Sequence, residues 1–218
     1  MTEAPSAPHR EVTITFVDLV RFTSLTDVHG DLVAADAAVT FESITRSAIA
    51  GRAQLVKTIG DAMMLSATEP GVGLRCAADI IEEVHELELG IDARGGADHG
   101  PVIERNRDVF GSTVNRAARM ASLADPGTIA VTRAVALAAG GVRLAAMPMG
   151  PRPVRGFREP VEVFRVDPCA HDRRWVVDPI CGMRVDRDRS IDAGSGEGGD
   201  IGFCSDRCAE IFAETRSA

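Results

Sequence analysis

The stretch LVKTIGDAMML, residues 55–65, sets Lys57 and Asp61 four positions apart across a turn inside an otherwise apolar hairpin. The short apolar runs on either side of Gly60 predict paired strands over 53–57 and 62–67. Lys57 is the one lysine among 24 basic residues, the other 23 being arginine. A composition that otherwise uses the planar guanidinium keeps a compact ammonium here, which points to a position that needs a point-charge donor.

Outward from the hairpin, the alternation in EVTITFVD (11–18) predicts a strand with Asp18 at its C-terminal end. A helical pattern follows from 19–23 through Arg52, most periodic over 31–46. Residues 71–88 read as an amphipathic helix with Leu74, Ala77, Ile80, Ile81, Val84 and Leu87 facing inward. Cys76 lies beside that face and is read as a packing residue. A strand over 91–97, a short polar connection to Asp108 and a helix over 109–123 come next. After the turn at Pro126-Gly127, a strand over 128–131, a short helix over 132–139 and two strands near 142–147 and 161–166 complete the pattern. This order implies an α+β fold, a mainly antiparallel sheet with helices on one face.

The chain has 218 residues, enough for one domain and a small appendage, and 45% of them are hydrophobic. A net charge of -8 argues against a nucleic-acid footprint or a basic membrane-surface patch, so an anionic ligand must be held through metal ions or a few local donors. Residues 1–10 read as a flexible N-terminus, and no stretch approaches the length of a membrane span. A cytoplasmic protein without membrane insertion is expected.

Asp18 and Asp61 both fall at the end of a core strand beside a turn. Two carboxylates brought together repel unless a cation lies between them, and hard divalent metals favour such oxygens. Asn115 and Arg119, four apart, project from one helix face, and Asp108 stands at the start of that helix.

Three motifs, FVDLVRFT (16–23), KTIGD (57–61) and DVFGSTVNRAARM (108–120), resemble in their order those of the catalytic domain of class III adenylate and guanylate cyclases, over residues 11–167. The resemblance implies the ferredoxin-like cyclase fold and a homodimer that converts ATP to cyclic AMP and pyrophosphate at two composite interface sites. It implies that Asp18 and Asp61 bind two Mg²⁺ or Mn²⁺ ions, that Lys57 and Asp108 read the base, that Asn115 orients the ribose and that Arg119 neutralises charge on the reacting phosphate. The metal aspartates would come from one subunit and the other four residues from its partner. Backbone N–H groups around Phe22 and Thr23 would cradle the phosphates, and Arg155, in the basic segment RGFR (155–158), is a candidate phosphate contact. Adenine offers an acceptor at N1 and a donor at N6, which match an ammonium and a carboxylate, and guanine reverses both. A guanylate-preferring cyclase and an inactive cyclase-like nucleotide-binding module are the alternatives. The six residues between Pro101 and Asp108 form a shorter connection than the arm many family members use to clasp the partner.

Residues 168–218 change character and carry four of the five cysteines. An odd total without a secretory signal speaks for metal thiolates over a disulfide scaffold. The segments DPICGM (178–183) and FCSDRC (203–208) resemble a YHS or TRASH-type module, a small family linked to metal binding. Cys181, Cys204 and Cys208 would hold a soft or borderline ion such as Zn²⁺. Cys169, His171 and Asp206 are candidates for the fourth ligand, and His9, His29, His85 and His99, which lack ligand-like spacing, receive no role. The module is expected to act as a metal- or redox-sensing or partner-binding appendage.

Overall fold

Strand β1 (His9–Leu19) is the centre of the molecule, in a computed structural model that describes residues 9–87, 90–168, 175–191 and 201–216. Its alternating side chains are buried on both faces, Val12, Ile14 and Phe16 on one and Thr13, Thr15, Val17 and Leu19 on the other. A strand covered on both sides needs this unbroken β-branched and apolar run. β1 pairs antiparallel with β3 (Ala62–Ala67) and with β4 (Ala93–Arg105). Adding β2 (Gln54–Ile59), β5 (Asp108–Phe110), β6 (Ile129–Thr132), β7 (Ala146–Arg152) and β8 (Val161–Val166) gives an eight-stranded sheet of order β2-β3-β1-β4-β6-β8-β7, with β5 on β4. Among the described residues, the β4–β6 pair alone is parallel.

Helices α1 (Phe22–His29), α2 (Asp31–Ile49) and α3 (Pro70–Glu86) cover one face, as expected. Leu25, Phe41, Ile44, Leu74, Ile80 and Ile81 pack there on Val17, Leu19, Met63 and Leu65. Cys76 is fully buried in this layer, and burial pushes its thiol pKa up, in keeping with packing. Helix α4 (Ser112–Leu123) departs from the one-face expectation and lies on the opposite face, Ala117 and Ala121 against Val12, Ile14, Phe16 and Met64. Small residues allow that close approach. A Cβ at Gly96 of β4 would fall 1.8 Å from the backbone nitrogen of Ala121. The short helix α5 (Arg133–Ala136) and a 3-10 turn (Ala139–Val142) follow β6.

Three boundaries differ from the sequence expectation. The helical pattern over 19–52 breaks at Gly30, whose φ of 87° ends α1 and starts α2. The polar connection before Asp108 is a hairpin: β4 runs on to Arg105, Asn106 and Arg107 turn with φ of 53° and 61°, and Arg105 pairs with Asp108. Two successive positive φ values match the right-handed twist of a two-residue hairpin. Asp108 therefore sits on a strand instead of at the start of α4, which begins at Ser112. The strand expected near 142–147, β7, starts at Ala146, because Val142 is taken into the 3-10 turn.

The C-terminal segment forms a hairpin of β9 (Trp175–Val177) and β10 (Arg184–Asp186), a bridge from Ile191 to Phe203 and α6 (Asp206–Arg216). Fully buried Phe203 centres its small core, with the Phe212 ring 5.2 Å away. Two arginines fasten it to the larger unit. Arg184, 6% exposed, places Nε 2.7 Å from Asp92 Oδ1, donates Nη2 to the His85 carbonyl at 2.7 Å and lies over the Trp175 ring. Arg21 donates Nη1 to the Pro179 carbonyl, and its aliphatic part occupies the space a Cβ on Gly182 would need.

Candidate active site and cysteine cluster

The acidic pair is built by the sheet register. Asp18, next to last in β1, stands directly opposite Ala62 of β3, so the turn residue Asp61 arrives beside it, and the Asp61 charge adds to the rise in the Asp18 pKa. Burial is the main cause of that rise, and Arg94 opposes it. Arg94, in register with Asp18 on β4, holds the carboxylate through two hydrogen bonds, Nε to Oδ1 at 3.0 Å and Nη2 to Oδ2 at 3.2 Å. Sequence reasoning missed Arg94. Its position one residue into β4 becomes a signal only when the β1–β4 register is known.

Lys57 and Asp108, 51 residues apart, meet: Nζ lies 2.8 Å from Oδ1 and 2.7 Å from Oδ2. The Lys57 hydrogen bond is the first cause of an Asp108 pKa held below the usual carboxylate range. The ammonium also lies 5.9 Å from the centre of the Phe110 ring. Asn115 and Arg119 project from the exposed side of α4, one turn apart. Phe22 and Thr23 open α1, whose first turn has no acidic residue and whose N-cap, Arg21 at φ 55°, makes no side-chain cap. Those N–H groups are thus available to an anion. Arg155 is exposed on the loop before β8.

The three tail cysteines come together: Cys204 Sγ is 3.5 Å from Cys181 Sγ and 3.6 Å from Cys208 Sγ. Asp178, fully buried, organises them by accepting from the backbone N–H of Ile180 at 2.8 Å, Cys181 at 3.3 Å and Cys204 at 2.8 Å. Burial raises the Asp178 pKa, but the backbone N–H groups of Cys204 and Ile180, together with the Cys204 and Cys208 side chains, outweigh it and hold it low. The neighbouring Cys181 and then burial push the Cys204 thiol far up, and burial pushes Cys208 up to about 11. The fourth member is His29, with Nε2 3.4 Å from Cys204 Sγ. This corrects the sequence reading, which gave His29 no role. Of the earlier candidates, Asp206 is exposed and outside the cluster, and Cys169 and His171 lie outside the described residues.

The sheet order and helix layers are those of the nucleotide cyclases. A structure of a Trypanosoma brucei adenylate cyclase superposes with a TM-score of 0.67 at 22% identity, covering 77% of this chain and 92% of that one. The family model described as adenylate and guanylate cyclase catalytic domain matches residues 4–167, and the chain belongs to that family. An adenylate cyclase of Glutamicibacter nicotianae is 38% identical over 115 residues, 52% of this chain and 28% of the relative. A pH-sensitive adenylate cyclase of Mycobacterium tuberculosis is 35% identical over 161 residues, 72% of this chain and 41% of the relative. The chain thus spans less than half the length of these curated relatives. Among the described residues, no helix is long and apolar enough to cross a membrane.

Proposed function

We propose that this chain is an adenylate cyclase that forms 3′,5′-cyclic AMP and pyrophosphate from ATP at composite sites shared by two copies of itself. The observation that carries this reading is the preformed Lys57–Asp108 pair, an ammonium and a carboxylate held side by side at 2.7 Å. They match the N1 acceptor and N6 donor of adenine, and guanine would leave both mispaired. The ammonium has a third N–H, and the carboxylate has further lone pairs, for the base edge.

Asp18 and Asp61 fit divalent cations, because adjacent carboxylates of which one is partly buried need positive charge between them. Bound Mg²⁺ or Mn²⁺ supplies charge neutralisation on the triphosphate and lowers the pKa of the ribose 3′-hydroxyl. In the reaction, the 3′-oxygen bonds to the α-phosphorus and the bond from that phosphorus to the bridging oxygen breaks, releasing pyrophosphate. The first-turn N–H groups at Phe22 and Thr23 bind phosphate oxygens, Asn115 orients the ribose, and Arg119 spreads its donors over the oxygens that gain charge. Arg155 adds positive charge toward the phosphates. Arg94 keeps Asp18 ionised and in place. Ile59 and Phe110, half-exposed apolar side chains beside the base-reading pair, favour cover by a second copy. In the tail, Cys181, Cys204 and Cys208 hold a soft or borderline ion such as Zn²⁺.

The test is product formation by the purified chain from ATP and GTP with Mg²⁺ or Mn²⁺, and with a mixture of Asp61→Ala and Arg119→Ala. Cyclic AMP formation, with activity regained on mixing the two inactive variants, is expected. Comparable GTP turnover would reassign the base preference. Nucleotide binding without turnover would leave a cyclase-like interaction module, and a mixture that stays inactive while both variants fold and dimerise would end the shared-site reading.

A further inference from the structure

The His29 and Cys181, Cys204 and Cys208 side chains come from two parts of the fold, the C-terminal end of α1 in the cyclase domain and the two knuckles of the tail. Their four ligand atoms all lie within 4.8 Å of one another. A tetrahedral Zn²⁺ site with arms of about 2.3 Å to sulfur and about 2.0 Å to nitrogen has edges of about 3.8 Å between sulfurs and about 3.5 Å between nitrogen and sulfur. The measured separations of 3.5 and 3.6 Å between sulfurs and 3.4 Å from His29 Nε2 to Cys204 Sγ fall close to those edges. Cys181 and Cys208 are almost fully buried, and Cys204 and His29 are half-buried, so the site is enclosed as structural zinc sites are.

We propose that His29 is the fourth ligand of a one-nitrogen, three-sulfur site for a borderline-soft divalent ion, and that this ion ties the tail to helix α1 of the catalytic domain. The inference rests on the reading of the three tail thiols as metal ligands and adds the ligand that makes the site an interdomain one. A tail that bound metal through its own residues alone would be joined to the catalytic domain only by the Arg21 and Arg184 contacts and by packing. With His29 included, the metal fixes α1. That helix is eight residues long, about 12 Å, and its other end carries the phosphate-facing N–H groups of Phe22 and Thr23. The surrounding contacts point the same way. Val28 packs into the tail core, Arg21 immediately before α1 reaches the Pro179 carbonyl, and Gly182 at φ 79° receives the Arg21 side chain where a Cβ would lie 2.4 Å from its Cδ. Both ends of α1 therefore touch the tail, Arg21 at the knuckle that carries Cys181 and His29 at Cys204. Metal loading at one end of this helix sets the position of its other end, beside Asp18.

The test uses the full chain, reduced and stripped with a chelator, and titrated with Co²⁺ as a spectroscopic probe and then with Zn²⁺. The expected result is one equivalent that gives tetrahedral visible bands and a thiolate-to-cobalt charge-transfer band, displaced by Zn²⁺. Carboxylate-bound cobalt at Asp18 and Asp61 gives no thiolate band, so the signal is independent of cyclase activity. His29→Ala should weaken binding at least 10-fold, and His29→Cys should restore it with a stronger thiolate band. Hydrogen exchange should show the α1 amides slowed by Zn²⁺ in the native chain and not in His29→Ala. If Cys204→Ser abolishes the band while His29→Ala leaves band, affinity and α1 exchange unchanged, the three-thiol reading stands and the His29 proposal fails. If the native chain gives no thiolate band, both fail, and the cyclase reading is untouched.

Discussion

Arg94 grips Asp18 across the β1–β4 register, Nε 3.0 Å from Oδ1 and Nη2 3.2 Å from Oδ2. Burial drives the Asp18 pKa upward and this guanidinium pulls it back. A carboxylate proposed to hold a metal, and needing its charge to do so, thus depends on a neighbour that no local motif announces.

Replacing Arg94 by Met removes the opposing influence, so the Asp18 pKa rises further. The protonated form then persists to higher pH, and activity that needs the carboxylate is lost sooner as pH falls. The acid limb of the pH profile of kcat/KM, measured at a fixed subsaturating metal concentration, should move to higher pH. A limb that stays where it is in the native chain would show that Arg94 does not tune Asp18.

Lys57→Ala leaves Asp108 without its ammonium and removes the proposed donor to adenine N1. The kcat/KM for ATP should fall roughly 10- to 100-fold, with a smaller fall for GTP, because a mispaired polar group costs about 1–3 kcal/mol. Lys57→Arg should restore less than a tenth of the loss, since a planar fork cannot replace a compact ammonium in a pair built at 2.7 Å. Native turnover by Lys57→Arg would show that any positive charge suffices.

Gly96→Ala inserts a methyl group 1.8 Å from the Ala121 backbone nitrogen, where neither β4 nor α4 can yield without unpacking. A loss of at least about 3 kcal/mol is expected in urea denaturation. Gly140→Ala, with nothing within 4 Å, is the control and should stay within about 0.5 kcal/mol of the native chain.

Arg184→Met removes the buried guanidinium whose Nε lies 2.7 Å from Asp92 Oδ1. The expected cost is roughly 2–4 kcal/mol, since an ion pair broken from one side leaves a buried charge behind. Limited proteolysis should also cleave the tail faster, because Arg184 is one of the two arginines that fasten it. An unchanged cleavage rate would mean the tail is held by the cysteine end alone.

Much of this protein was legible along the chain. The alternation over 11–18 gave the central strand and placed Asp18 at its end. The apolar hairpin around Gly60 put Asp61 beside it, and the spacing of Asn115 and Arg119 put both on one helix face. Each of these is a short-range property, fixed by the periods of strand and helix and by what a turn allows. Lys57 and Asp108, 51 residues apart, meet in the folded chain, and Asp108 lies on a strand instead of at the start of a helix.

Sequence by itself thus determined the elements, the family and the residue types available for nucleotide chemistry. Tertiary structure alone decided that Arg94 holds Asp18, that α4 crosses the face away from the other helices, and that His29 joins three cysteines far along the chain. Strand register and the close approach at Gly96 set the first two, and docking of the tail on α1 sets the third. Juxtapositions of this kind arise from packing between distant segments, and no periodicity or spacing within a segment encodes them.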